Sequence, residues 1–100
     1  MKAYGASTRQ LTDVIREMGF RARPQRGGNI AVFTEWEGTP VDACPHDYAL
    51  VIEALLRRYP EARVETAVTE YLGFEDFNQR RRETLQQALR RFPCHGECGR

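Results

Sequence analysis

The stretch from Phe20 to Asp47, FRARPQRGGNIAVFTEWEGTPVDACPHD, constrains most of what this chain can become. From Asn29 to Trp36, residues Ile30, Val32, Thr34 and Trp36 alternate with Ala31, Phe33 and Glu35. A period of two is the pattern of a strand buried on one face. Phe20 to Arg23 reads as a short strand closed by Pro24. Arg26-Gly27-Gly28-Asn29 reads as a turn, because Gly and Asn tolerate the positive φ of a tight hairpin. Glu37-Gly38-Thr39-Pro40 is a second turn. Val41 to Cys44 is a third strand, an edge strand given the proline at its start. The flanking segments must then supply helices to cover this three-stranded meander.

Ser7 and Gln10 have the spacing of a capping box, and Leu11, Val14, Ile15 and Met18 follow at helical intervals. Gly19 stands where such a helix stops. Asp47 is placed to cap a second helix, Tyr48 to Tyr59, with Tyr48, Val51, Ile52, Leu55 and Tyr59 buried and Pro60 ending it. Residues 60–74 carry two patterns. Val64, Ala67, Val68, Tyr71 and Leu72 have helical spacing, whereas Val64, Thr66 and Val68 alternate as a strand would; the helix is preferred. A last helix is expected from Asp76 to Phe92, with Asp76 and Gln79 at cap spacing and Phe77, Leu85, Ala88, Leu89 and Phe92 as its stripe.

The chain has 100 residues, 41% hydrophobic and 29% charged, as an ordinary globular domain has. A domain of that size buries roughly 60–70% of its unfolded surface. The fold class is therefore α+β: one antiparallel three-stranded sheet against three to four helices, α-β-β-β-α with C-terminal helices added. One domain spans residues 1–93, and residues 94–100 form a Cys/His-containing tail. Fifteen Lys and Arg against fourteen Asp and Glu leave a net charge of +1, without the basic excess of a dedicated nucleic-acid binder. The N-terminus has no apolar signal region and no run reaches a membrane span, so a cytoplasmic setting with reduced thiols is expected.

Cys44, His46, Cys94 and Cys98 include the soft ligands of a tetrahedral zinc site, but only Cys94 and Cys98 have ligand-pair spacing. A buried Cys44 beside a helix start is the competing reading, and no metal or other cofactor is assigned. Cys44 with His46 also has the ingredients of an activated thiol, without a third orienting group. No enzyme activity is expected. Arg21, Arg23 and Arg26 on the first hairpin and Arg80, Arg81 and Arg82 on the last helix are suited to gripping a phosphate or an acidic protein patch, with a solvated face as the competing reading, whereas Glu35 and Glu37 read as solvated strand and turn residues. Arginine suits bidentate and stacked contacts. Phe20, Phe33 and Trp36 are read as packing residues.

Two resemblances bear on function. From Leu11 to Leu56 the order is helix, three strands, helix, and the run IREMGFRARPQRGGNIAVFTEW looks like the small HicA messenger-RNA interferases. That family uses a fold related to the double-stranded RNA-binding domain, with a catalytic histidine in a glycine-serine-histidine turn. Asn29 stands at the matching position and cannot act as a general acid or base. The resemblance thus implies a non-catalytic RNA-shaped or protein-binding surface. The chain as a whole, opening MKAYGASTRQLTDVIREMGF, is similar to the small phage-encoded anti-CRISPR proteins that inhibit the type I-F surveillance complex. That resemblance implies a stoichiometric inhibitor that docks on protein subunits of the complex in the bacterial cytoplasm and blocks target DNA binding or hybridisation, with Arg21, Arg23, Arg26, Glu35, Glu37 and the helix arginines Arg80, Arg81 and Arg82 as its anchors; a monomer is expected.

Overall fold

The structure is a computed structural model and describes residues 1–91. Five strands and five α-helices run in the order β1 (Lys2–Tyr4), α1 (Thr8–Glu17), β2 (Arg21–Pro24), β3 (Ile30–Trp36), β4 (Thr39–Asp42), α2 (Pro45–Arg58), β5 (Arg63–Glu65), α3 (Ala67–Leu72), α4 (Phe74–Arg80) and α5 (Arg82–Arg91) among the described residues. The class is α+β, with β2-β3-β4 as the expected antiparallel sheet and a second, two-stranded sheet of β1 and β5.

The first helix follows its sequence signals. Ser7 Oγ accepts from the Gln10 amide at 3.1 Å, and Gln10 Oε1 accepts from the Ser7 amide at 2.8 Å. Leu11, Val14 and Ile15 are buried. Met18 is exposed instead, because the helix ends one residue earlier and Gly19 turns the chain at φ +86°.

Within the meander, the second hairpin is tighter than expected. Glu37 and Gly38 alone make the turn, both at positive φ (50° and 80°), as a two-residue type I′ connection requires. The third strand therefore starts at Thr39 and contains Pro40, which sits opposite Glu35. Pro24 is likewise inside β2, opposite Ile30. Both strands are sheet edges, where a missing N–H is tolerated. Ile30 and Val32 point into the core, as their alternation implies.

The second helix begins before Asp47. Cys44 is the cap residue and Pro45 the first helical residue, where the absent N–H is one the helix could not use. Asp47 lies buried in the first turn. Val51, Ile52 and Leu55 are fully buried, and Tyr48 Oη accepts from the Val32 amide at 3.0 Å, tying α2 to β3.

Residues 60–74 use both of their patterns in turn. Arg63–Glu65 is a strand paired with β1 in the register Lys2↔Glu65, Ala3↔Val64, Tyr4↔Arg63. Thr66 then caps α3. The lead-in at the N-terminus is thus a strand as well. Met1 joins the two sheets: Ile30 N–H donates to Met1 O at 2.7 Å, and the Met1 amine donates to Ile30 O at 2.9 Å.

The expected last helix starts earlier and is broken. Gly73 precedes α4, and Asp76 is not its cap but pairs with Arg80 at 3.1 Å. Arg81 interrupts the helix at φ +47°, ψ −87°. A non-glycine residue held there costs on the order of 1–3 kcal/mol. Its guanidinium offsets that cost: Nε donates to Asn78 O at 2.9 Å, Nη2 to Ala62 O at 2.8 Å, and Nη1 to Pro60 O. In an unbroken helix Arg81 would lie one turn from both Phe77 and Leu85, inside the apolar stripe. With the break, its guanidinium is held on backbone carbonyls while the residue borders the groove beside Phe77 and Leu85.

Two measurements test this packing. Ile15 is fully buried, so Ile15→Ala should cost about 2–5 kcal/mol in urea unfolding. Arg9→Ala, at an exposed site, should stay within about 0.5 kcal/mol. Equal small effects would mean that α1 does not pack as described. Separately, burial lowers the Met1 amine from its ordinary value of 8.0, with the charge of Glu65 opposing the shift. The unfolded chain then binds this proton more tightly, so the amine's contribution to stability is complete above pH 8.0 and lost as pH falls through the folded-state value. An NMR titration of the amine should give a midpoint below 8.0 in the folded chain and near 8.0 in urea.

Candidate docking face

Because β2 and β3 alternate, their outward residues form one surface. Arg21 sits opposite Phe33, Arg23 opposite Ala31, and Phe33 opposite Asp42. Arg23 lies over the Phe33 ring, 4.7 Å from its centroid. Arg21 forms an ion pair with Glu35. Phe33 is outside the core cluster, half-buried beneath the arginine. The sheet thus brings Arg21, Arg23 and Glu35 together and adds Phe33, which the sequence pattern assigned to packing. Arg26 is exposed in the β2–β3 connection, where its carbonyl accepts from Asn29 Nδ2 at 3.4 Å. Glu37 lies past the other end of β3, beside Trp36, which is 43% exposed. These two flank the cluster rather than join it.

The helix arginines do not form a second cluster of the expected kind. Arg80 is paired with Asp76. Arg81 differs most from expectation, because its guanidinium turns inward onto three backbone carbonyls. Arg82 is exposed at the start of α5.

A second group of cations and aromatic rings lies on β1 and β5. Lys2 Nζ is 5.3 Å from the Tyr4 ring centroid, Tyr4 meets Phe74 edge-on at 6.1 Å, and Arg63 lies 5.3 Å from the Phe74 centroid. Tyr4 Oη donates to Glu65 at 3.1 Å, and Arg63 pairs with Glu75. Sequence reading missed this group because it treated Lys2–Tyr4 as a lead-in. The alternation of Val64 and Thr66 was the available signal.

Electrostatically, these surfaces are mixed. Arg21, Arg57, Arg58, Arg63 and Arg80 each pair with a carboxylate.

The metal and nucleophile readings turn on Cys44. It is buried at the start of α2 and disulfide-bonded, not the reduced thiol expected. A disulfide sulfur is neither a thiolate ligand nor a nucleophile. His46 is half-buried one residue into α2. Cys94 and Cys98 lie outside the described residues. Among the described residues no three His, Cys, Asp or Glu side chains converge as a metal site would require. Asn29, at the position matched to the interferase histidine, spends its amide on the Arg26 carbonyl. Comparison with protein families, curated proteins and solved structures gives no match.

Arg21 and Glu35 are 62% and 50% exposed. Solvent screening therefore limits their coupling, and a double-mutant cycle should return less than about 1 kcal/mol. A coupling of several kcal/mol would assign this face to stability instead of binding.

Proposed function

We propose that this chain is a non-catalytic inhibitor that docks on protein subunits of a type I CRISPR surveillance complex through the outer face of β2 and β3. One observation carries the docking role: Arg23 stacked on Phe33 beside the Arg21–Glu35 pair, on the face of the sheet opposite Ile30 and Val32 of the core cluster. Arginine and aromatic side chains are the usual anchors of protein interfaces. A net charge of +1, with five arginines paired to carboxylates, supports a protein partner over a phosphate backbone. The surveillance complex comes from the resemblance of the whole chain to the anti-CRISPR class, and it puts the site of action in the host cytoplasm. Among the described residues no helix is long and apolar enough to cross a membrane.

The second reading is a nucleic-acid-binding module. The succession α1, β2, β3, β4, α2 favours it, being the order that the interferase resemblance implies.

Affinity capture from a bacterium with an active type I system separates the two. The chain should recover the complex, and Arg21→Glu with Arg23→Glu should reduce recovery at least tenfold without altering the melting temperature. Recovery indifferent to both reversals would remove the face from the proposal. Capture of bulk RNA that falls steeply with salt would establish the second reading.

A further inference from the structure

The break at Arg81 has no local cause in the sequence. Asn78 to Thr84, NQRRRET, contains neither glycine nor proline, and Gln79, Arg80, Arg82 and Glu83 are good helix formers. Sharp helix breaks normally have such a cause. The helical hydrogen bonds persist on either side: Arg81 N–H donates to Phe77 O at 2.6 Å, and Leu85 N–H to Arg81 O at 2.8 Å. At the break, Asn78 O accepts from Arg81 Nε. In an uninterrupted helix that carbonyl would accept from the Arg82 amide. The side chain of Arg81 has therefore taken the backbone's place, and its other two donors reach Pro60 and Ala62, ahead of β5.

We propose that α4 and α5 are two halves of one helix, held apart by Arg81 acting as a latch. Releasing the guanidinium returns the Asn78 carbonyl to the ladder and removes the strain at Arg81. The halves then join into a single helix over residues 74–91. Joining them re-aims α5 relative to α2, and so reshapes the groove that Ile52, Leu56, Phe77, Arg81, Arg82 and Leu85 line. This latch is independent of which partner the sheet face binds.

Amide exchange read residue by residue tests it in the full chain. In the unmodified protein the Arg82 and Glu83 amides should exchange at least tenfold faster than those of Arg81 and Leu85. Arg81→Leu puts an apolar residue into the stripe and removes the latch. It should slow the Arg82 and Glu83 amides at least tenfold and increase helical ellipticity. Arg81→Gly accepts positive φ without strain and disfavours helix, so it should keep those amides fast. If Arg81→Leu does not fold, Arg81→Lys decides: it keeps the charge but cannot reach three carbonyls, and protection should rise at least threefold. Unchanged exchange in the folded variant, or protection already present in the unmodified protein, would overturn the latch.

Discussion

A three-residue strand cannot satisfy its own backbone, and much of the C-terminal half of this protein follows from that. Strand β5 pairs with β1 along one edge. The Val64 amide donates to Asn78 Oδ1 at 2.9 Å, and Asn78 Nδ2 donates to Val64 O at 3.2 Å and Phe74 O at 2.8 Å. One buried carboxamide thus serves Val64 as a neighbouring strand would. Arg81, three residues on, serves the carbonyls of Pro60 and Ala62. A buried backbone group left without a partner costs about 1–3 kcal/mol, so α4 is fixed beside β5 by polar demand as well as by Phe77 in the core. At the other end, Met1 performs the same service for Ile30 and joins the two sheets.

These dependencies explain which elements were legible. The first helix announces itself within thirteen residues, through the Ser7–Gln10 box, the Leu11–Val14–Ile15 stripe and Gly19. The meander was legible because β3 alternates over seven residues. Strands β1 and β5 have three residues each, too few for a period to register, and their pairing spans some sixty positions. The turn at Glu37–Gly38 was misjudged because Pro40 looked like turn punctuation, although an edge strand accepts it. The cap of α2 was misplaced because Asp47 is the better capping type, whereas Pro45 fixed the start. The break at Arg81 could not be read locally at all, since its cause lies twenty residues upstream, at Pro60 and Ala62.

The candidate site was half legible for similar reasons. Arg21, Arg23 and Glu35 follow from strand alternation, which puts them on one face regardless of tertiary detail. Phe33 belongs to that face by the same alternation, but hydrophobicity argued for the interior. Arg81 failed in the opposite direction: a charged residue among arginines looks exposed until its carbonyl partners are known. An arginine's role here depends on what it can reach, so identity and spacing alone could not separate Arg81 from Arg82.

That division of labour separates the outer sheet face from the demands of folding. The core draws on the inward residues of β2 and β3, with α1, α2 and Phe77, whereas Phe33, Arg23 and Arg21 lie outside it. Exposed ion pairs and cation–ring contacts contribute little to stability. The outer sheet face can therefore change its side chains at small cost to folding, while Asn78, whose buried carboxamide serves both polar groups of Val64, cannot. A binding surface placed on the former and insulated from the latter is free to follow the shape of a partner. On such a sheet, substitutions that alter recognition fall on the outer face, and those that alter folding fall on the inner face, the helices packed against it and Asn78.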